Sequence, residues 1–279
     1  VLAQPRAATP QGEIWGEQDG DVAVFRGIPY AAPPVGAFRW YPTQPGPRWE
    51  GAREATEFGP RCEQRDRSSR NTDVVLGLQG GGWLGQQAGR VMTALRPAPR
   101  ISEDCLYLNV QTKNLGGGAL QPVMVWIHGG GYTSGQGAIP WYNGTRFAKN
   151  NDIVVVSINY RLGALGFADL THLGDEFATS NINGTLDQIA ALQWVQDNIA
   201  AFGGDPNRVT IAGESAGGFS VATLMACPSA NGLFQQAIPQ SGACHHTLPA
   251  AAARTTSTGR AACPTAPCRA GRAGSARSG

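Results

Sequence analysis

Gly213-Glu214-Ser215-Ala216-Gly217 lies between two segments of opposite character. Ahead of it, Val209-Thr210-Ile211-Ala212 is short, β-branched and apolar, the composition of a buried strand. Behind it, Gly218-Phe219-Ser220-Val221-Ala222-Thr223-Leu224-Met225 reads as a helix. A serine at a strand-to-helix corner occupies a tight, strained turn that lifts its hydroxyl clear of the sheet edge. Glycines two residues to either side let the two backbones pass close together. The helix N-terminus then faces the hydroxyl, and its free N–H groups favour negative charge developing there.

Earlier in the chain, Pro122-Val123-Met124-Val125-Trp126-Ile127 is an apolar run suited to a central parallel strand buried on both faces. It ends in His128-Gly129-Gly130-Gly131-Tyr132. Three consecutive glycines are costly to order, so bare backbone is expected to approach something closely there. Acyl transfer through a serine needs N–H donors aimed at the oxyanion of the tetrahedral intermediate. One comes from the residue after the nucleophile, here Ala216, and the others from a glycine-rich loop after an earlier strand, here Gly130 and Gly131. Losing one such donor costs about 3 kcal/mol in the transition state.

Further motifs stand in order along the chain. Phe25-Arg26-Gly27-Ile28-Pro29-Tyr30-Ala31 is followed by Pro33-Pro34-Val35-Gly36, then by Ser102-Glu103-Asp104-Cys105-Leu106-Tyr107-Leu108-Asn109. After the glycine loop come Asn159-Tyr160-Arg161-Leu162-Gly163, Phe202-Gly203-Gly204-Asp205-Pro206 and Gln240-Ser241-Gly242. Together these resemble the N-terminal half of a type-B carboxylesterase, the family of para-nitrobenzyl esterases, animal carboxylesterases and cholinesterases. The likeness runs from residue 12 to about 243. It implies an α/β-hydrolase fold, a mostly parallel central sheet flanked by helices, with Ser215 as nucleophile and Gly130, Gly131 and Ala216 as oxyanion donors. Glu214 and Ser241 support the site, and Glu214 is not the triad acid. No cofactor and no metal are implied; the partner is a small-molecule ester. In the family a cysteine placed like Cys62 pairs with one placed like Cys105. Such a loop stabilises the fold by about 4 kcal/mol in the chain-entropy model and implies an oxidising compartment. Export is therefore favoured over the cytoplasm, with two reduced thiols as the alternative. Arg39 and Glu103 lie where the family has a buried structural ion pair.

The 279 residues carry 22 basic and 20 acidic side chains, a net charge of +2. Five of the arginines lie in residues 245–279, which hold no acid, so residues 1–244 carry 17 basic against 20 acidic groups, or −3. That balance gives no case for nucleic acid as a partner. No apolar run approaches the ~18 residues of a membrane span, and the first ten residues lack the apolar core of a signal peptide. None of the six cysteines forms a C-x-x-C pair or a spaced His/Cys cluster, which argues against metal. Asn143-Gly144-Thr145 and Asn183-Gly184-Thr185 fit the glycosylation pattern, which matters only in a eukaryotic secretory setting.

Residues 12–60 read as short strands and turns, Val22 to Phe25 among them. Residues 61–100 are polar and glycine-rich, with Gly77 to Gly85 a flexible stretch around Trp83. A parallel core is expected from Leu106, with strands Leu106 to Gln111, Val123 to Ile127, Ile153 to Ile158, Val209 to Ala212 and Gln236 to Gln240. Pro239 weakens the last, since proline removes a ladder bond from an interior strand. The clearest helix is Asp187 to Phe202, where Ile189, Leu192, Val195, Ile199 and Phe202 share one face. Thr185 or Asp187 caps it and Gly203-Gly204 stops it.

A serine hydroxyl needs a histidine base and an acid to orient that base, and in this fold they follow the serine in the order acid, histidine. After Ala243 there is no Asp or Glu. His128 belongs to the glycine loop, His172 precedes the serine, and His245 and His246 match no family base. From His245 onward the composition turns to Ala, Arg, Gly, Ser, Thr and Pro, with Leu248 the one large aliphatic residue. The expected division is therefore residues 1–244 as the N-terminal part of an esterase domain and 245–279 as a disordered or frame-shifted tail. Function reads as carboxylic ester hydrolysis. The alternative is an inactive truncated fragment or a non-catalytic cholinesterase-like binding module, although adhesion relatives lose the serine. Tyr132, Trp141 and Trp83 line an entrance or are plain packing.

Overall fold

The computed structural model describes residues 4–65 and 100–244, together with 249, 252 and 253. The stretch around Trp83, the histidines His245 and His246, and the rest of the expected tail lie outside the described residues.

Two sheets form. The smaller joins β1 (Arg6–Thr9), β2 (Gly12–Trp15) and β5 (Ala52–Glu54). The larger has seven strands, adding β3 (Glu17–Asp19), β4 (Val22–Pro29), β6 (Tyr107–Thr112), β7 (Gln121–Ile127), β8 (Val154–Ile158), β9 (Gly204–Glu214) and β10 (Gln236–Gln240), in the order β10-β9-β7-β8-β6-β4-β3. Among the described residues, the α-helices that accompany it are α1 (Thr145–Asn151), α2 (Gly163–Phe167), α3 (Asn183–Asn198) and α4 (Ala216–Ala226). β8, β7, β9 and β10 run parallel, whereas β6 pairs antiparallel with both β8 and β4, and β4 antiparallel with β3. The sheet is thus mixed, and its parallel part starts at β7 instead of near Leu106. Apolar composition marks a strand as buried whichever way it runs, so direction was not readable from β6 alone.

The order of strands positions the site. From β7 the chain crosses to β8 on one side, and from β9 it crosses to β10 on the other, while β7 and β9 are neighbours. The loops leaving their carboxyl ends therefore lead to opposite sides, which makes this the switch point of the sheet, the usual ligand position in such folds. These loops are the glycine loop after Ile127 and the corner at Ser215.

β8 is buried along its whole length, Val154 to Ile158. β7 is not. Val123, Val125 and Ile127 are buried, but Met124 and Trp126 on the other face are half-buried, because Trp126 is covered by a single short turn that brings Tyr142 to 5.1 Å, ring to ring. β10 is as expected in extent, and it forms the outer strand of the described sheet. Its Gln240 carbonyl turns to β9 and accepts from Ser215 N–H at 2.9 Å. Alternation then points the nitrogen of Pro239 to the outer edge, where a missing donor breaks no bond to β9.

α3 starts four residues before the expected point. Its face holds as read: Leu192, Val195, Ile199 and Phe202 are buried and Ile189 half-buried, with Phe202 meeting Phe25 edge to face at 5.0 Å. The α-helix itself ends at Asn198; Ile199 and Phe202 lie on the 3-10 turn that continues it, which Gly203 ends at φ +78°. The cap does not hold. Asp187 lies inside the helix, fully buried, and its carboxylate accepts from Arg161 N (2.9 Å), Nε (2.8 Å) and Nη2 (2.8 Å) and from Thr43 Oγ1 (2.6 Å). The Arg161 and Asp187 side chains are 3% and 0% exposed. Arg39 and Glu103 do pair, at 2.8 Å, but at 39% and 25% exposure. Arg161–Asp187, among the described residues, is a buried ion pair instead.

Candidate active site

Ser215 closes the β9–α4 corner at φ +55°, ψ −121°, a geometry that costs a non-glycine residue about 1–3 kcal/mol and persists only where surroundings enforce it. Its N–H is held by Gln240 O. The flanking glycines have the role their spacing gave them: a Cβ on Gly217 would overlap the carbonyl oxygen of Ile127, and one on Gly213 would lie 2.6 Å from Gly217 C. Any side chain at either position would push strand and helix apart. Ser215 itself is half-buried, and among the described residues nothing hydrogen-bonds its Oγ.

The glycine loop lies directly against this corner. A Cβ on Gly129 would fall 2.6 Å from Glu214 O and 3.2 Å from Ser215 Cβ. The loop takes the left-handed conformations that three glycines permit, Gly130 at φ +115° and Gly131 at +62°, and forces Tyr132 to +59°. Gly130 O accepts from the N–H groups of Thr133 and Ser134, both at 3.1 Å. The N–H groups of Gly130, Gly131 and Ala216 make no hydrogen bond to another described residue, Ala216 because it opens α4.

His128 anchors the loop from below. Its ring is fully buried, stacks on Tyr160 at 4.4 Å and 18°, and its Nδ1 lies 2.8 Å from Gly129 O. A carbonyl only accepts, so Nδ1 carries the proton and Nε2 is bare. Burial pushes this imidazole down to about 4, against the opposing pull of the Gly129 carbonyl, so it is neutral at pH 7; buried and bonded to Gly129 O, it makes no hydrogen bond to Ser215. Tyr160 Oη donates to His128 O at 2.8 Å. Ser220, on α4 and 3% exposed, accepts from Gln188 Nε2 at 3.0 Å and lies 3.4 Å from Tyr132 Oη.

The remaining sequence expectations fall as follows. Glu214 is exposed at the end of β9, its Oε2 3.2 Å from the point a Cβ on Gly129 would occupy. Tyr142 has its hydroxyl pushed up by burial and, second, by the Glu214 charge. Ser241 is exposed at φ +53° just past β10 and makes no side-chain bond to a described residue. Cys62 and Cys105 are joined as a disulfide across 43 residues. Trp141 is 54% exposed and His172 is exposed. Asn183 is buried with its amide donating to Trp40 O, so only the Asn143 sequon is accessible. Among the described residues no His, Cys, Asp or Glu group is placed to hold a metal, and no helix is long and apolar enough to cross a membrane. A groove of about 660 Å³ lined by Gln4, Trp15, Arg26 and Glu54 contains none of the corner or loop residues.

A model of the carboxylesterase family matches residues 3–270. The chain belongs to the carboxylesterase family. The match extends past Ala243, where the quoted motifs end. Among curated proteins, this carboxylesterase-family chain is 43% identical to a phenmedipham hydrolase of Pseudarthrobacter oxydans over 93% of its own length and 48% of the relative's. It is 43% identical to a para-nitrobenzyl esterase of Bacillus subtilis, over 84% of its length and 43% of the relative's. Among solved structures, a Geobacillus stearothermophilus carboxylesterase matches with a TM-score of 0.73 at 43% identity, covering 86% of this chain and 44% of that one. A PNB esterase structure matches at 0.78 and 41%, covering 92% and 47%. The fold is that of the α/β-hydrolases. The chain spans about half the length of the curated relatives it matches.

Sequence reasoning missed two residues that hold the loop. Asn159 (Oδ1 accepting from Gly137 N at 2.8 Å, Nδ2 donating to Pro60 O at 3.0 Å) entered only as part of a motif, and Gln64 carries no signal beyond its polarity. The buried pairing of Asp187 with Arg161 was missed too, because an acid near a helix start looks like a cap.

Proposed function

We propose that the chain carries the nucleophilic half of a carboxylic ester hydrolase site. Ser215 Oγ attacks the ester carbonyl, the carbonyl oxygen becomes an oxyanion held by the N–H groups of Gly130, Gly131 and Ala216, and the alcohol leaves with a proton to give a seryl ester. Water then releases the acid. The observation that carries this reading is the pairing of a serine strained to φ +55° with unpartnered N–H groups on the glycine loop packed against its Cβ. Preorganised donors of this kind supply the largest single part of such catalysis. Glu214 and Ser241 support the corner without entering the chemistry, and small carboxylic esters are the substrate class. The Cys62–Cys105 disulfide favours an oxidising compartment.

A second reading concerns turnover by this chain alone. His128 is neutral and turned away to Gly129 O, and no described imidazole or carboxylate reaches Ser215 Oγ. Without a base, turnover is expected roughly 10⁴- to 10⁶-fold below that of an intact esterase. Incubation with para-nitrophenyl acetate followed by peptide mass mapping tests both. A slowly formed acetyl adduct on Ser215, absent in Ser215→Ala, is expected. Equal nitrophenol release by chain and variant contradicts the nucleophile, and turnover at an intact relative's rate contradicts the missing base.

A further inference from the structure

Gln64 stands two residues after Cys62, on a segment with no part in the chemistry above. Its carboxamide grips one residue of the glycine loop at two points: Oε1 accepts from Gly135 N–H at 2.9 Å, and Nε2 donates to Gly135 O at 2.9 Å. Nε2 also donates to Cys62 O at 3.0 Å. The N–H of Gly135 can only donate and its C=O only accept, so this orientation of the amide is the one that satisfies both. The grip reproduces with a side chain the paired bonds of a β-bridge.

Gly135 is the point through which such a grip reaches the site. It sits at φ +116°, and a Cβ there would overlap Gly129 O and the His128 ring. Gly135 therefore lies directly behind the residue that packs on Ser215 Cβ. Gly130 O, bonded to Ser134 N and Oγ, closes the same turn. On the other side, Gln64 is tied to the buried Cys62–Cys105 disulfide, and Asn159 makes a parallel link from Pro60 O to Gly137 N. Two carboxamides thus fasten the disulfide segment to the back of the loop.

We propose that Gln64 is a positioning residue: its amide splints Gly135 and so ties the oxyanion loop to the Cys62–Cys105 disulfide. What the loop does rests on the ester-hydrolase reading; the splint itself does not. Alanine removes both bonds to Gly135, whereas glutamate keeps an acceptor for the N–H and loses the donor to the carbonyl. In the full chain, amide hydrogen exchange at Gly135 is expected to accelerate about tenfold or more in Gln64→Ala, less in Gln64→Glu, and also in Cys62→Ser/Cys105→Ser. Glu63→Ala, an exposed neighbour, serves as control. Amides on β7 and β9, such as Val125 and Ile211, are expected to keep their wild-type exchange, which separates a local splint from general loosening. Acylation of Ser215 by para-nitrophenyl acetate falls in the same order, wild type above glutamate above alanine. Unchanged Gly135 exchange in Gln64→Ala, or equal acceleration at Val125 and Ile211, overturns the splint. If Gly135 responds while Ser215 takes no acyl group in any variant, the splint stands and the esterase reading fails.

Discussion

Ser215 and His128 show how differently two polar residues on adjacent loops are used. Ser215 is presented by strain and left free of partners, whereas His128 is stacked, buried and spent on Gly129 O. The fold holds the His128 imidazole near 4, below its unfolded value of 6.5. The unfolded chain therefore binds more protons between those values, and the stability derived from burying the neutral ring is complete above pH 6.5 and lost as pH falls toward 4. Between pH 7 and pH 5 the loss is about 2 kcal/mol. Urea denaturation of wild type and His128→Gln at both pH values is expected to show the wild type losing that much more. Equal losses would contradict the buried, neutral ring. The corner at Ser215 was legible because glycine spacing reports backbone approach directly. His128's tautomer was not, since it depends on a carbonyl that sequence does not place.

At the scale of elements, strand positions and the helical face of α3 followed from apolar patterning, whereas extents did not always: β9 runs from Gly204 to Glu214, well beyond the expected Val209 to Ala212. Direction and pairing did not follow: β6 is buried almost as completely as the parallel strand β8, and only its pairing with β4 and β8 shows it antiparallel. Asp187 shows the same limit. An acid near a helix start reads as a cap, but its partner Arg161 is 26 residues away in sequence and packed against it. Asp187→Ala strands a guanidinium that is 3% exposed and is expected to cost about 3–5 kcal/mol in urea unfolding. Replacing both partners by apolar residues, as in Arg161→Met/Asp187→Leu, is expected to recover most of it. If the single variant matches wild type, the buried pair does not stabilise the fold.

For the whole molecule, the family matches and the topology converge on the switch point between β7 and β9. β7 and β9 are neighbours whose outgoing loops lead to opposite sides, and each supplies one component, donors from the first and the nucleophile from the second. The third component, a histidine with its acid, is not among the described residues near Ser215, and the chain spans under half the length of the phenmedipham hydrolase and para-nitrobenzyl esterase it resembles. A sequence motif can locate a nucleophile because its constraints are local. A triad is assembled from distant segments, which no local motif reports.

The most direct measurement is reaction of the full chain with a fluorophosphonate, the modified residue mapped by mass spectrometry and the rate compared with an intact para-nitrobenzyl esterase. Phosphonylation confined to Ser215, lost in Ser215→Ala and slower than the intact esterase by about 10⁴-fold or more, is the predicted result. Modification at another residue, or none at Ser215, would contradict the nucleophile assignment, and labelling at the intact enzyme's rate would show that the chain already holds its base.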